Sequence, residues 1–148
     1  MWIVLDAGPL GLLANPTGRG PAKAVQSWAR AKIADGHHLV VAEISDYEVR
    51  RELVRADRTA AIERLDALCT GFGYAPITTS VMRDAAQLWA SARNRGQPTA
   101  HHHTLDGDVI LAAQARALPL GPDESVVVAT TNTGHLGLYV TAEVWGDL

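Results

Sequence analysis

Short unbroken apolar runs, set between stretches of helical periodicity, constrain this chain more than any other feature. WIVL at 2–5, HLVVA at 38–42 and SVVVAT at 125–130 are rich in β-branched residues and bounded by turn or polar residues. Runs this short read as strands, and their lack of a polar side fits a sheet covered on both faces. After Pro21 the pattern turns helical, with Ala24, Val25, Trp28, Ala29 and Ile33 in step and Gly36 at the end. Strands alternating with helices imply an α/β fold, in which helices flank a central, mostly parallel sheet. At 148 residues, with no linker, repeat or low-complexity segment, a single domain over 1–148 is the expectation.

The remaining elements follow from local signals. A short helix is expected through Leu10–Ala14. Ser45 reads as an N-cap, with Glu48 three residues on completing a capping box. A further helix runs from about Arg58 to Cys69, presenting Ile62, Leu65 and Leu68 to the core; Gly71 and Gly73 end it. YAPI at 74–77 reads as a short edge strand, since its proline cannot donate to a ladder. Thr79 or Ser80 caps a long helix carrying Val81, Ala85, Leu88, Trp89 and Ala92. Gly96 to Thr104 reads as a loop, and Asp106 opens the helix GDVILAAQARAL. The small apolar face of that helix lets it lie close to a sheet. LYVT at 138–141 is the last candidate strand.

Composition narrows the chemistry. Charged residues are 20% and hydrophobic residues 47%, as in ordinary globular proteins. The lone Cys69 excludes an internal disulfide framework and reads as a small buried hydrophobe. No stretch approaches the roughly 18 apolar residues of a membrane span, and the N-terminus lacks the basic start of a signal peptide. A cytoplasmic protein without membrane contact is the expectation. The net charge of −3 does not advertise nucleic-acid binding. Local clusters do bear on it: Arg50, Arg51, Arg55 and Arg58, then Arg93 and Arg95, read as phosphate contacts or as solvated helix faces. Neither the glycine spacing of a dinucleotide site nor a Walker A sequence is present. A haloacid-dehalogenase-type phosphatase needs a second Asp at position 8, which is Gly.

Four residues stand where such a fold concentrates chemistry. Asp6 and Asn132 each follow an apolar strand, while Glu48 and Asp108 lie in helical patterns. Each has a structural reading as well: turn residue for Asp6 and Asn132, cap partner for Glu48, first-turn acid for Asp108. Taken together, carboxylates at the carboxyl edge of a parallel sheet suit a hard divalent cation and point to metal-dependent phosphodiester hydrolysis. Asp106, two residues before Asp108, rivals it as a ligand.

The pieces IVLDAGPLGLL, EVRREL, DVILAAQA and VVVATTNTGHL, in that order and across the whole chain, resemble PIN-domain nucleases. The resemblance is greatest to the VapC-like toxins of VapBC-type (type II) toxin–antitoxin pairs. It implies a PIN-like three-layer α/β/α sandwich and an Mg²⁺-dependent endoribonuclease, with Mn²⁺ able to substitute. It assigns Asp6, Glu48 and Asp108 to the metal site and Asn132 to a fourth catalytic position, occupied by Asp or Asn in the family. It also implies an RNA substrate, an antitoxin partner and a homodimer. Two other readings share the fold: a non-catalytic RNA-binding module, and a PIN nuclease outside any toxin pair. The triplet His101, His102 and His103 reads as a solvated or substrate-facing loop, with zinc or nickel binding as the sharper alternative. His135 reads as structural. Trp2, Trp28, Trp89 and Trp145 read as core or interface residues, with base stacking as the alternative for one of them.

Overall fold

The computed structural model describes residues 1–95 and 102–148, with the side chains of 102–105 outside the description. Among the described residues five strands form one sheet: β1 (Trp2–Leu5), β2 (His38–Ala42), β3 (Gly73–Ala75), β4 (Val126–Thr130) and β5 (Ala142–Val144). Their order is β3-β2-β1-β4-β5, and every pairing is parallel. Among the described residues six α-helices accompany them: α1 (Ala7–Ala14), α2 (Gly20–Ala34), α3 (Glu43–Arg55), α4 (Thr59–Gly71), α5 (Thr79–Asn94) and α6 (His102–Arg116).

Strand alternation sorts the core into two layers. Ile3, Leu5, Leu39, Val41, Val127 and Ala129 point to one face, where they meet Leu10 and Leu13 of α1, Val25 of α2 and Leu65 of α4. Val4, Val40, Ala42 and Val128 point to the other, against Leu111 and Ala115 of α6. The expected small face of α6 is present, and it lets the helix press on the sheet. α5 packs outside α6 through Val81 and Ala85 against Val109 and Ala113.

Several boundaries differ from the sequence expectation. α1 starts at Ala7, directly behind β1, rather than at Leu10. α3 starts at Glu43 with Ala42 as N-cap, so Ser45 does not cap it and no capping box forms. β2 runs straight into this helix. The N–H of Ile44 is satisfied from outside the helix, by Oε1 of Gln114 at 3.2 Å. Thr78, one residue before the expected pair, caps α5 and accepts from the Val81 N–H at 3.1 Å. α6 begins at His102, a turn before Asp106, so the C-terminal part of the expected loop is helical. The rest of that loop, with His101, lies outside the described residues.

LYVT is not a strand. Leu136–Leu138 form a 3-10 turn, and β5 follows at Ala142–Val144. Leu136 and Val140, four residues apart, both pack on the sheet layer that faces α6. A helical turn places two such residues on one side, whereas a strand would also do so but over twice the length; burial overrides the β-branched pattern. On α2, Ala22 is buried, while Ala24 is exposed and Ile33 is 48% exposed.

Candidate active site

β1 connects through α2 to β2 on one side, while β4 pairs with it on the other. The carboxyl ends of β1 and β4 therefore flank a switch point, where parallel sheets open a crevice. Asp6 is the first residue beyond β1. Its Oδ1 accepts from the Ala7 N–H at 2.7 Å, which caps α1. Its Oδ2 accepts from the hydroxyl of Thr130 at 2.6 Å. The register Leu5↔Ala129 sets those two residues side by side. Thr130 is 1% exposed and also accepts from the Asn132 N–H at 3.1 Å. Sequence reasoning missed Thr130; a hydroxyl closing a buried strand opposite a strand-end acid was the available signal. Both Asp6 oxygens are oriented by these bonds, and each keeps a lone pair for another partner.

Glu48 comes from the second turn of α3 and Asp108 from the second turn of α6. Gly107 lies beneath Glu48: a Cβ at 107 would stand 2.6 Å from its Oε1, so a larger residue would make that carboxylate turn aside. At the second turn, Asp108 lies beyond the first-turn position where the helix dipole rewards an acid. Burial raises the pKa of Glu48, with Asp6 and Asp108 adding to the rise and Arg51 opposing it. Burial pushes Asp108 up to about 6, with Asp6 adding and His135 opposing. The structure thus brings Asp6, Glu48 and Asp108 within electrostatic reach of one another.

The other named residues divide. Asn132 is exposed, and its Oδ1 accepts from the Gly134 N–H at 3.0 Å, an Asx turn. Asp106 is exposed and lines a groove of about 410 Å³ with Met82, Ala85, Ala86, Trp89, Val109 and Ile110. Two residues along a helix is about 200° of rotation, so Asp106 and Asp108 serve different sides of α6. His135, read from the sequence as structural, and Tyr139, not singled out there, lie within electrostatic reach of Asp108: His135 opposes the rise at Asp108, and burial raises the Tyr139 phenol, with Asp108 adding to it. The side chains of His102 and His103 lie outside the described residues. A depression of about 590 Å³ lies between the far ends of α1 and α3 and the start of α4, and none of the three acids lines it.

The donor set fits a hard cation. Three carboxylates would supply oxygen ligands, and a cation would relieve their mutual repulsion. Among the described residues, Ser45 Oγ, one helical turn before Glu48, and Tyr139 Oη, within electrostatic reach of Asp108, are buried hydroxyls without a hydrogen-bond partner. Among the described residues no group of three His, Cys, Asp or Glu side chains is already disposed to hold a metal ion. Ligation by all three acids therefore needs a side-chain turn, or contact through water, which Mg²⁺ readily retains.

Solved structures share the fold over nearly the whole chain. FitAcB from Neisseria gonorrhoeae is 23% identical, with a TM-score of 0.69 and 99% of each chain covered. VapBC2 from Rickettsia felis, bound to a DNA fragment from their promoter, is 12% identical with a TM-score of 0.68; the match covers 97% of this chain and 98% of that one. VapBC-1 from nontypeable Haemophilus influenzae is 14% identical with a TM-score of 0.65 and 99% of each chain covered. No protein-family model and no curated protein matches the sequence. The fold is the PIN-like α/β/α sandwich that the sequence resembles, with neighbours among VapBC and FitAcB structures.

Proposed function

We propose that this protein is a Mg²⁺-dependent endoribonuclease and the toxin of a type II toxin–antitoxin pair. The observation that carries the reading is the electrostatic coupling of Asp6, Glu48 and Asp108 at the switch point of the sheet. The full-length likeness to VapBC and FitAcB structures supports the toxin assignment and an antitoxin partner.

Asp6, Asp108 and Glu48 would hold the cation, directly or through water. When bound, such an ion neutralises phosphate charge and acidifies water at neutral pH. The protein residues do the rest. Asp6 is held rigid by Ala7 and Thr130, so it offers a fixed point of attachment. Glu48, with its raised pKa, is suited to accept a proton from the attacking water. No protein nucleophile is required.

Cleavage of single-stranded RNA in Mn²⁺ tests this. Asp6→Asn and Asp108→Asn are each expected to lower the rate by about a hundredfold or more. A wild-type rate equal to that of both variants ends the reading. One observation favours a second reading, a non-catalytic RNA-binding module: the Asn132 side-chain oxygen is engaged in its own turn. That module would bind RNA and leave it intact in the same assay. A small reading frame for an antitoxin beside this gene separates a toxin from a stand-alone nuclease.

A further inference from the structure

The structure sorts the arginines that follow Glu48. Arg50 is occupied twice, by Asp46 at 2.9 Å and Asp66 at 2.7 Å. Arg55 pairs with Glu52 at 3.0 Å. Arg58 lines the depression at the far end of α3, which none of the three acids lines. Arg51 differs from all three. Among the described residues it forms no salt bridge, and its guanidinium lies 5.2 Å from the ring centroid of Tyr47.

Helix geometry then fixes a small surface. Tyr47 and Arg51 are four apart, and Glu48 and Arg51 three apart, so Arg51 lies between the ring and the acid. Tyr47 is 56% exposed, so one face of its ring is open to a ligand while Arg51 lies over the other. Its hydroxyl and its ring have no role in the core clusters. A stacked arginine is also pre-oriented, since the ring restricts the long side chain.

Resting on the ribonuclease reading of the same site, we infer that Tyr47 and Arg51 form the substrate-holding surface beside Glu48. The Tyr47 ring receives an unstacked base, and the Arg51 guanidinium holds the adjoining phosphate. The pair thereby selects single-stranded RNA, because a base inside a duplex cannot present its face to an exposed ring. An arginine next to an acidic site has a further use: it offsets the repulsion between three carboxylates and an approaching phosphate.

Binding, measured apart from cleavage, tests the pair. The probe is a fluorescent single-stranded RNA of roughly ten nucleotides, a length that spans such a surface. The same strand annealed to its complement is the second probe. Both are titrated in Ca²⁺, a larger ion that occupies oxygen sites without the octahedral geometry of Mg²⁺. Tyr47→Ala is expected to weaken single-strand binding roughly tenfold, leave duplex binding unchanged, and be rescued by Tyr47→Phe. Arg51→Gln is expected to reduce the salt slope of single-strand binding by about 0.7, the loss of one phosphate contact. Both residues are on the surface of α3, so the variants should melt with the wild type. Unchanged single-strand affinity in Tyr47→Ala overturns the inference, as does an equal loss on duplex. A loss confined to antitoxin binding also overturns it and reassigns the surface to the partner protein. The ribonuclease reading fails separately, if wild type does not cleave in Mn²⁺ while these affinities behave as described.

Discussion

Asp108 shows how one residue can trade stability for a site. Its carboxyl is pushed up to about 6 by burial, with Asp6 adding to the rise. In the unfolded chain it titrates near 3.8. Between those values the folded state binds more protons than the unfolded one, so stability falls as pH rises through that window. Above pH 6 the full penalty of the buried charge is present. Asp108→Asn removes the penalty. The metal-free variant is therefore expected to melt above wild type at pH 7 and to lose most of that advantage at pH 4. Thermal melts at the two pH values check this, and an advantage that grows on acidification would contradict it. Cys69 shows the opposite economy. It is half-buried against the core rather than fully buried as expected, and burial, with Asp46 adding and Arg50 opposing, pushes its thiol up to about 11, which keeps it protonated at neutral pH.

Among the elements, α3 is where the sequence signals and the structure diverge most. Ser45 and Glu48 have the spacing of a capping box, yet β2 leads into the helix three residues earlier, with Ala42 as N-cap. The helix end is satisfied instead by a side chain from α6. Gln114 is fully buried; its Oε1 accepts from the Ile44 N–H and its amide donates to the Ala75 carbonyl. Glu43 adds a second tie by accepting from the Ile77 N–H. These bonds join α6, the start of α3 and the segment after β3, which are the elements that deliver Glu48 and Asp108. Gln114→Leu keeps the volume and strands two buried backbone groups. It is expected to cost about 2–4 kcal/mol, read from urea denaturation. A loss below half a kcal/mol would show that water replaces the amide. Nothing in LAAQARA marks this glutamine, because its partners are 70 and 39 residues away.

Across the whole molecule, the parallel order β3-β2-β1-β4-β5 gathers residues from both ends of the chain at one edge. Among the described residues no helix is long and apolar enough to cross a membrane. A cation that binds the three acids in the folded state alone must stabilise the entire domain. At a hundredfold excess over Kd, Mn²⁺ is expected to add about 2.7 kcal/mol, or roughly 5–10 °C in Tm for a domain of this size. Asp6→Asn should show little of that shift. Equal shifts in wild type and variant would place the ion elsewhere.

Strands β1, β2 and β4, the helical segments and the glycine and proline punctuation were legible in the sequence because they depend on near neighbours: periodicity, branching and turn chemistry act over a few residues. The acids Asp6, Glu48 and Asp108 were legible as candidates for a related reason, each standing at the end of a recognisable local pattern. Their meeting in one site was expected from the family resemblance, not from any local pattern, and the contacts that support it were not legible. Thr130 against Asp6, Gly107 beneath Glu48 and Gln114 spanning three elements arise from contacts across 124, 59 and 70 residues. Such contacts exist only after the sheet has assembled, since burial and hydrogen-bond satisfaction are settled among distant segments. The same holds for the final strand, which burial of Leu136 and Val140 displaced from 138–141 to 142–144.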